Sequence, residues 1–210
     1  MGSDPGSPRL TTRSALELVL ASQSPRRHEL LRTIGLEFRA HPADVDESWH
    51  VDENPRAYVE RVAAAKADKV AHELDRDGAV CVLAADTTVD LDGEILAKPA
   101  DDDEARRMLR SLSGRTHHVH TAVVAWTVAG MVADLVTTDV TFVDLDEDDV
   151  SWYLSIGEHR DKAGAYAMQT AGGALVRRID GSPSNVIGLP LAETLGVLRA
   201  AGFTSGKEAP

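Results

Sequence analysis

The sequence predicts an α/β protein built on a mixed β-sheet, and three features of the chain lead there. Residues 16–21 read as a first, buried strand, and residues 80–85 are a short continuous apolar run of strand length. Other stretches carry apolar residues at helical spacing, as in Val59, Val62, Ala63, Val70 and Leu74. Hairpin signals at Asp92-Gly93 and at Gly130 make part of the sheet antiparallel.

In chain order, the first strand runs into Ser22-Gln23-Ser24-Pro25, and residues 26–34 follow as a helix. Ser24 is placed to cap it, Pro25 suits its first position, Gly35 closes it, and Leu30, Leu31 and Ile34 give its buried side. Asn54-Pro55 opens a second helix that reaches about Leu74. The run 80–85 stops at Asp86, and the Asp92-Gly93 hairpin follows. Residues 101–112 form a third helix: Asp101 and Glu104 resemble a capping box, Ala105, Met108, Leu109 and Leu112 share a face, and Gly114 ends it. Two β-rich runs across 118–145, broken at Gly130, predict a second hairpin. The acids at the start of 146–156 suit a helix N-terminus. A strand over 174–179 then leads through Gly181-Ser182-Pro183-Ser184-Asn185 to a last helix ending near Ala201.

A chain of 210 residues with 43% hydrophobic content suits one sizeable domain, set here at residues 16–203. Residues 1–15, rich in Pro, Gly, Ser and Thr, are expected to be a disordered extension, and 204–210 a tail. The single cysteine, Cys81, excludes an internal disulfide and reads as a buried thiol, which fits a reducing cytoplasm. No apolar run approaches the roughly 18 residues that span a bilayer, and the N-terminus lacks the apolar stretch of a secretory signal. It begins Met-Gly, but Gly6 stands where myristoylation wants Ser or Thr. A net charge of −12 opposes nucleic-acid binding, so any phosphate must be held by a few local cations or by metal.

Four segments sit badly with folding alone. In Ser22-Gln23-Ser24-Pro25-Arg26-Arg27 two arginines occupy a helix first turn, which prefers acids. A bound anion resolves the conflict, since strand, small-residue turn and helix start form a phosphate cradle; two solvated arginines are the plain alternative. Asp86, in Ala84-Ala85-Asp86-Thr87-Thr88, is placed at the carboxyl end of a buried strand, where it could hold metal or accept a proton, or else cap a turn. Lys98, before Pro99, could meet phosphate or simply be solvated. In Asp161-Lys162-Ala163-Gly164-Ala165-Tyr166-Ala167-Met168-Gln169, small residues permit close backbone approach and the Gln169 carboxamide could read a base edge or pair locally. Other candidates weigh less: His118 and His120 share a strand face but lack the partners of a zinc site, and the acids at 101–104 and 144–149 read as helix starts.

Taken in order, these segments resemble the Maf family of nucleotide pyrophosphatases, also called septum formation proteins. The resemblance is carried by Leu20-Ala21-Ser22-Gln23-Ser24-Pro25-Arg26-Arg27-His28-Glu29-Leu30-Leu31, Ala85-Asp86-Thr87, and Leu91-Asp92-Gly93 through Lys98-Pro99. It continues through Leu112-Ser113-Gly114-Arg115-Thr116-His117, Asp161-Lys162-Ala163-Gly164-Ala165-Tyr166, and Ser184-Asn185-Val186-Ile187-Gly188-Leu189-Pro190, and spans roughly residues 18–202. It implies a strongly bent mixed sheet flanked by helices, two lobes around a deep cleft, and a homodimer. It implies hydrolysis of a nucleoside triphosphate to the monophosphate and pyrophosphate with Mg²⁺, Mn²⁺ or Co²⁺. By position, Ser22, Arg26 and Arg27 match the phosphate-binding motif, Asp86 the proton acceptor, and Lys98 the lysine of the Lys-Pro pair. Glu47 looks like the acidic residue that would share the metal with Asp86, and Lys66 like the cleft lysine of the long helix.

Arg27, Thr87 and Gln169 resemble the branch acting on dTTP and UTP, with CTP or modified pyrimidines as further substrates, rather than the 7-methyl-GTP branch. Two departures stand out: Ala97 replaces a Gly before Lys-Pro, and Thr170 follows Gln169 where Gly is usual, which would strain the backbone if that position needs a positive φ. The rival is a nucleotide-binding regulator of cell division with little catalysis, against which stands a full set of acid, lysine and arginines.

Overall fold

A computed structural model describes residues 16–74 and 79–204. The expectations for residues 1–15 and for 205–210 of the tail lie outside the described residues. One sheet organises the chain, with helices on both faces. Strand β1 (Glu17–Leu20) leads into helix α1 (Pro25–Thr33), short strand β2 (Arg39–Ala40) and helix α2 (Pro55–Leu74). Strand β3 (Val80–Leu91) and β4 (Glu94–Leu96) form the hairpin turned by Asp92-Gly93, both at positive φ as a two-residue turn demands. Helix α3 (Asp102–Leu112), strands β5 (Thr116–Thr127) and β6 (Gly130–Phe142), and helix α4 (Glu147–Ile156) follow. Strand β7 (Val176–Asp180) and helices α5 (Pro183–Ile187) and α6 (Leu191–Ala200) complete the described chain.

The strand order is β2-β1-β3-β5-β6-β7, with β4 against β3. Strands β1 and β2 run parallel, as do β1 and β3; the remaining pairs are antiparallel, so the sheet is mixed as expected. Helices α2 and α3 fall close to their expected bounds. The capping box at α3 is only half formed: Asp101 accepts from the Glu104 N–H, but the Glu104 carboxylate accepts from Ala100 instead. The complete box lies at α4, between Asp146 and Asp149. Cys81 is buried, and burial pushes its thiol up to about 12.

Two expectations are corrected. The strand entering Asp86 does not stop there. It continues to Leu91, because β5 pairs with it without a break from Val82↔Trp126 to Asp90↔His118. The polar residues that interrupt the apolar run, Thr87 and Thr88, are β-branched and fit a strand. The last helix is two helices, parted at Gly188, Leu189 and Pro190, where Gly188 takes φ +122.

The core is divided by the strand period of two. On one face of β3 and β5, Cys81, Leu83, Ala85, Val123 and Ala125 pack with Leu31 of α1 and Val197 and Leu198 of α6. Further along the same face, Val89, Leu91 and Val119 pack with Leu109 and Leu112 of α3 and Tyr153 of α4. Between these clusters stand Thr87 and Thr121, whose hydroxyls meet at 2.9 Å. The opposite face is apolar at Val82, Ala84, Ala122 and Val124 under α2, then turns polar at Asp86 and Thr88. The polar band thus crosses both faces at one level of the sheet.

Candidate active site

An open sheet edge at this level lets one cleft reach both faces of β3. Strand β1 pairs with β3 only over Val80–Leu83, and β4 only over Val89–Leu91. On that side of β3, residues 84–88 have no strand beside them. A cleft of about 1250 Å³ opens there and is lined by Ser22, Arg26, Arg27, Glu47, Lys66, Asp86, Thr87, Lys98 and Gln169, all nine residues singled out in the sequence. Its volume is ample for a nucleotide.

Each side chain arrives by a local route. Ser22 follows β1, and its Oγ accepts from the Ser24 N–H at 3.1 Å. Pro25 opens α1, Ser24 adopts the extended cap conformation without a side-chain cap bond, and no acid lies in the first turn. The start of α1 therefore keeps donors and partial positive charge for an anion. Arg26 lines the cleft half-buried, and burial lowers its pKa.

Arg27 is only 8% exposed, so it is not a solvated arginine. Its Nε donates to the Gly188 carbonyl at 2.8 Å, one Nη to Thr87 Oγ1 at 3.0 Å, and the other to Ser22 Oγ at 3.4 Å. It ties three separate segments together at the polar band. Burial pulls its pKa down while Asp86 supports its charge.

The acidic side of the cleft centres on Lys66, 7% exposed on α2. Its ammonium lies 2.7 Å from Asp86 Oδ1 and 2.7 Å from Glu47 Oε1. Burial pushes the Asp86 carboxyl above its ordinary range; Lys66 and Arg27 oppose this without cancelling it. Burial also acts upward on Glu47, but there the Lys66 bond and the charges of Lys66, Lys98 and Arg27 prevail and hold it low. Glu47 sits in the irregular stretch before α2, where Tyr58 donates to its carbonyl at 3.0 Å and Arg61 grips Ser48 O and Glu53.

Lys98 is exposed just past β4 and makes no ion pair among the described residues. Lys162, half-buried in the same cleft, has its pKa lowered by burial and by Arg26. Gln169 is exposed at the rim and makes no side-chain hydrogen bond to protein among the described residues. Its segment is brought in by the turn at 163–165: Gly164 takes φ +68, and a Cβ there would stand 3.0–3.2 Å from the Val89 side chain. Thr170 takes φ −129, so replacing Gly costs no left-handed strain, and its hydroxyl donates to Glu158 at 2.7 Å.

Sequence reasoning gave no role to Tyr58, nor an individual one to Lys162 and Asn185, which lie within the quoted motifs. Asn185 is fully buried; its side-chain amide nitrogen donates to Val119 O and Thr138 Oγ1, and its main-chain carbonyl accepts from the Thr121 hydroxyl. It fastens α5 to the sheet and so fixes the Gly188 carbonyl that Arg27 binds. The Ser182-Pro183-Ser184-Asn185 turn was its only local signal. His118 and His120 do share a face, stacked 6.0 Å apart, and pair with Asp139 and Asp90. Among the described residues no group of three or more His, Cys, Asp or Glu is placed to hold a metal.

Fold and cleft together define an α/β protein that sets a cluster of cations beside a pair of carboxylates, an arrangement suited to a polyphosphate. The chain belongs to the Maf-like protein family, whose profile matches residues 17–201. It is 52% identical over 200 residues to a dTTP/UTP pyrophosphatase of Anaeromyxobacter dehalogenans, covering 93% of this chain and 100% of that protein. A dTTP/UTP pyrophosphatase of Myxococcus xanthus is 51% identical over 89% of this chain and 93% of its own length. One from Shigella boydii is 46% identical over 86% and 91%. The Staphylococcus aureus Ham1 protein shows a weak structural likeness, with TM-score 0.46 and 17% identity over 61% of this chain and 72% of that one.

Proposed function

We propose that the protein is a nucleoside triphosphate pyrophosphatase that hydrolyses dTTP and UTP to the monophosphate and pyrophosphate. The observation that supports this most is the convergence of Ser22, Arg26, Arg27, Lys98 and the Glu47–Lys66–Asp86 group on one cleft. The names of relatives near 50% identity agree with it and do not favour a non-catalytic regulator. Pyrimidine choice falls to Thr87, held by Arg27, and to Gln169, whose free amide faces the cleft.

The donor set suits a hard divalent cation. Asp86 Oδ2 and Glu47 Oε2 have no protein donor among the described residues, and two carboxylates leave places for phosphate oxygens and water. Glu47 and Asp86 would hold Mg²⁺, Mn²⁺ or Co²⁺, which when bound offsets phosphate charge and lowers the pKa of water. Asp86 accepts the proton of the attacking water. The water oxygen bonds to the α-phosphorus, the bond from that phosphorus to its bridging oxygen breaks, and pyrophosphate leaves. Arg26, Lys98 and the α1 start stabilise the charge that moves onto the leaving group. No helix among the described residues is long and apolar enough to cross a membrane. The reading includes cytoplasmic action as a pair of copies, checked by sedimentation velocity.

The deciding assay is pyrophosphate release across dTTP, UTP, CTP and 7-methyl-GTP with each of the three metals. Turnover greatest with dTTP and UTP supports the proposal. Nucleotide binding without release of pyrophosphate returns the regulator reading.

A further inference from the structure

The position of Lys66 raises a question that its role as a cleft cation leaves open. Its ammonium is buried and sits at 2.7 Å from one oxygen of each carboxylate, the same pair that would take a divalent cation. The monovalent charge of Lys66 therefore neutralises part of the acidic pair. Lys66 also lines the cleft, so an incoming polyphosphate offers it a second anionic partner.

We infer that Lys66 is a built-in counter-cation that competes with divalent metal for Glu47 and Asp86, and that nucleotide phosphate relieves the competition by drawing the ammonium toward itself. Free protein then holds metal weakly, and metal and nucleotide bind with positive coupling. Three features support this. The ammonium meets each carboxylate through a charged contact at 2.7 Å. The second oxygen of each carboxylate is left without a protein donor. No third carboxylate, His or Cys among the described residues stands by to raise metal affinity independently of substrate. Lys66 is in this respect a positioning residue: it acts on the metal through the two acids. The inference rests on the metal reading given above.

The test is direct titration with Mn²⁺, followed by the loss of its free-ion electron paramagnetic resonance signal, without nucleotide. Wild type should bind weakly. Lys66→Met keeps the apolar stem and removes the charge, and should bind Mn²⁺ at least about tenfold tighter. Arg178→Met, whose guanidinium pairs with Asp180 on β7 and does not line the cleft, should change the affinity little. A dTTP analogue with a non-hydrolysable α,β-bridge should tighten Mn²⁺ binding in wild type much more than in Lys66→Met. Circular dichroism checks folding, and Lys66→Gln serves if the Met variant does not fold. If both variants are unfolded, absence of analogue-driven tightening in wild type overturns the inference. Equal or weaker Mn²⁺ binding by a folded Lys66 variant also overturns it, while metal-dependent dTTP turnover by wild type would leave the metal reading standing. No Mn²⁺ binding to wild type even with analogue, together with turnover independent of metal, would remove both.

Discussion

The two apolar stretches of the sheet and the polar band between them follow different rules. Around Leu83 and Val123, and again around Leu109 and Phe142, side chains are buried by hydrophobic contact and tolerate only close fit. In the band, Ser22, Arg27, Lys66, Asp86, Thr121 and Asn185 are as deeply buried, yet each is polar. Groups of that kind cost stability unless they are paired, and here they are paired across the chain rather than along it. The apolar stretches hold the sheet together, and the band uses that rigidity to keep charges aimed at an open edge.

The sharpest way to separate the two regions is Asp86→Asn. It should lower kcat by about 10²–10⁴-fold while the thermal melt stays close to wild type, measured by pyrophosphate release and calorimetry. Because burial raises the Asp86 pKa, turnover should fall on acidification at a pH above the ordinary Asp value of about 4. Normal turnover in this variant would take Asp86 out of the chemistry.

The complementary change is Phe142→Ala in the apolar stretch, where Phe142 packs edge-on to His117 and Tyr166. Urea unfolding should show a loss of about 3–5 kcal/mol. KM of the folded fraction should hold, and a selective change in KM would show that the apolar stretch also shapes the cleft.

Next comes His117, 1% exposed, whose Nε2 meets the Tyr166 hydroxyl at 2.9 Å. Burial lowers its pKa from 6.5 to about 4. The folded pKa lies below the unfolded one, so this group's stabilisation is complete above pH 6.5 and fades as pH falls toward about 4. The whole effect is about 3 kcal/mol. Urea midpoints measured across that window should fall less steeply in His117→Phe than in wild type, and parallel slopes would refute the assignment.

The smallest effect is expected from Thr87→Val, which removes the bonds to Arg27 and Thr121. It should cost about 1–2 kcal/mol in urea and shift the ratio of kcat/KM for dTTP over 7-methyl-GTP. An unchanged ratio would confine Thr87 to support of Arg27.

Local rules carried the reading of the elements a long way. Asn54-Pro55 marked the start of α2, Asp92-Gly93 marked the β3–β4 turn, and Gly130 marked the β5–β6 hairpin. They failed at Asp86, where an acid follows an apolar run yet β5 carries the strand onward, and at the C-terminal end, where Gly188-Leu189-Pro190 divides one expected helix into two. The two arginines misplaced for a helix start both line the cleft. Which of them was the tether was not legible, because the carbonyl that Arg27 binds lies 161 residues away.

The sequence by itself determined the kinds of group available: cations and carboxylates against a net charge of −12, and the order of strands and helices that bears them. Tertiary structure alone decided that β1 stops pairing at Leu83 and β4 begins only at Val89. That gap opens the sheet edge, brings Lys66 onto Asp86 and Glu47, and turns Arg27 toward Gly188. The reason is physical: propensity and capping act within a few residues, whereas the edge left open on a strand depends on which distant segments pair with it, and on where they stop.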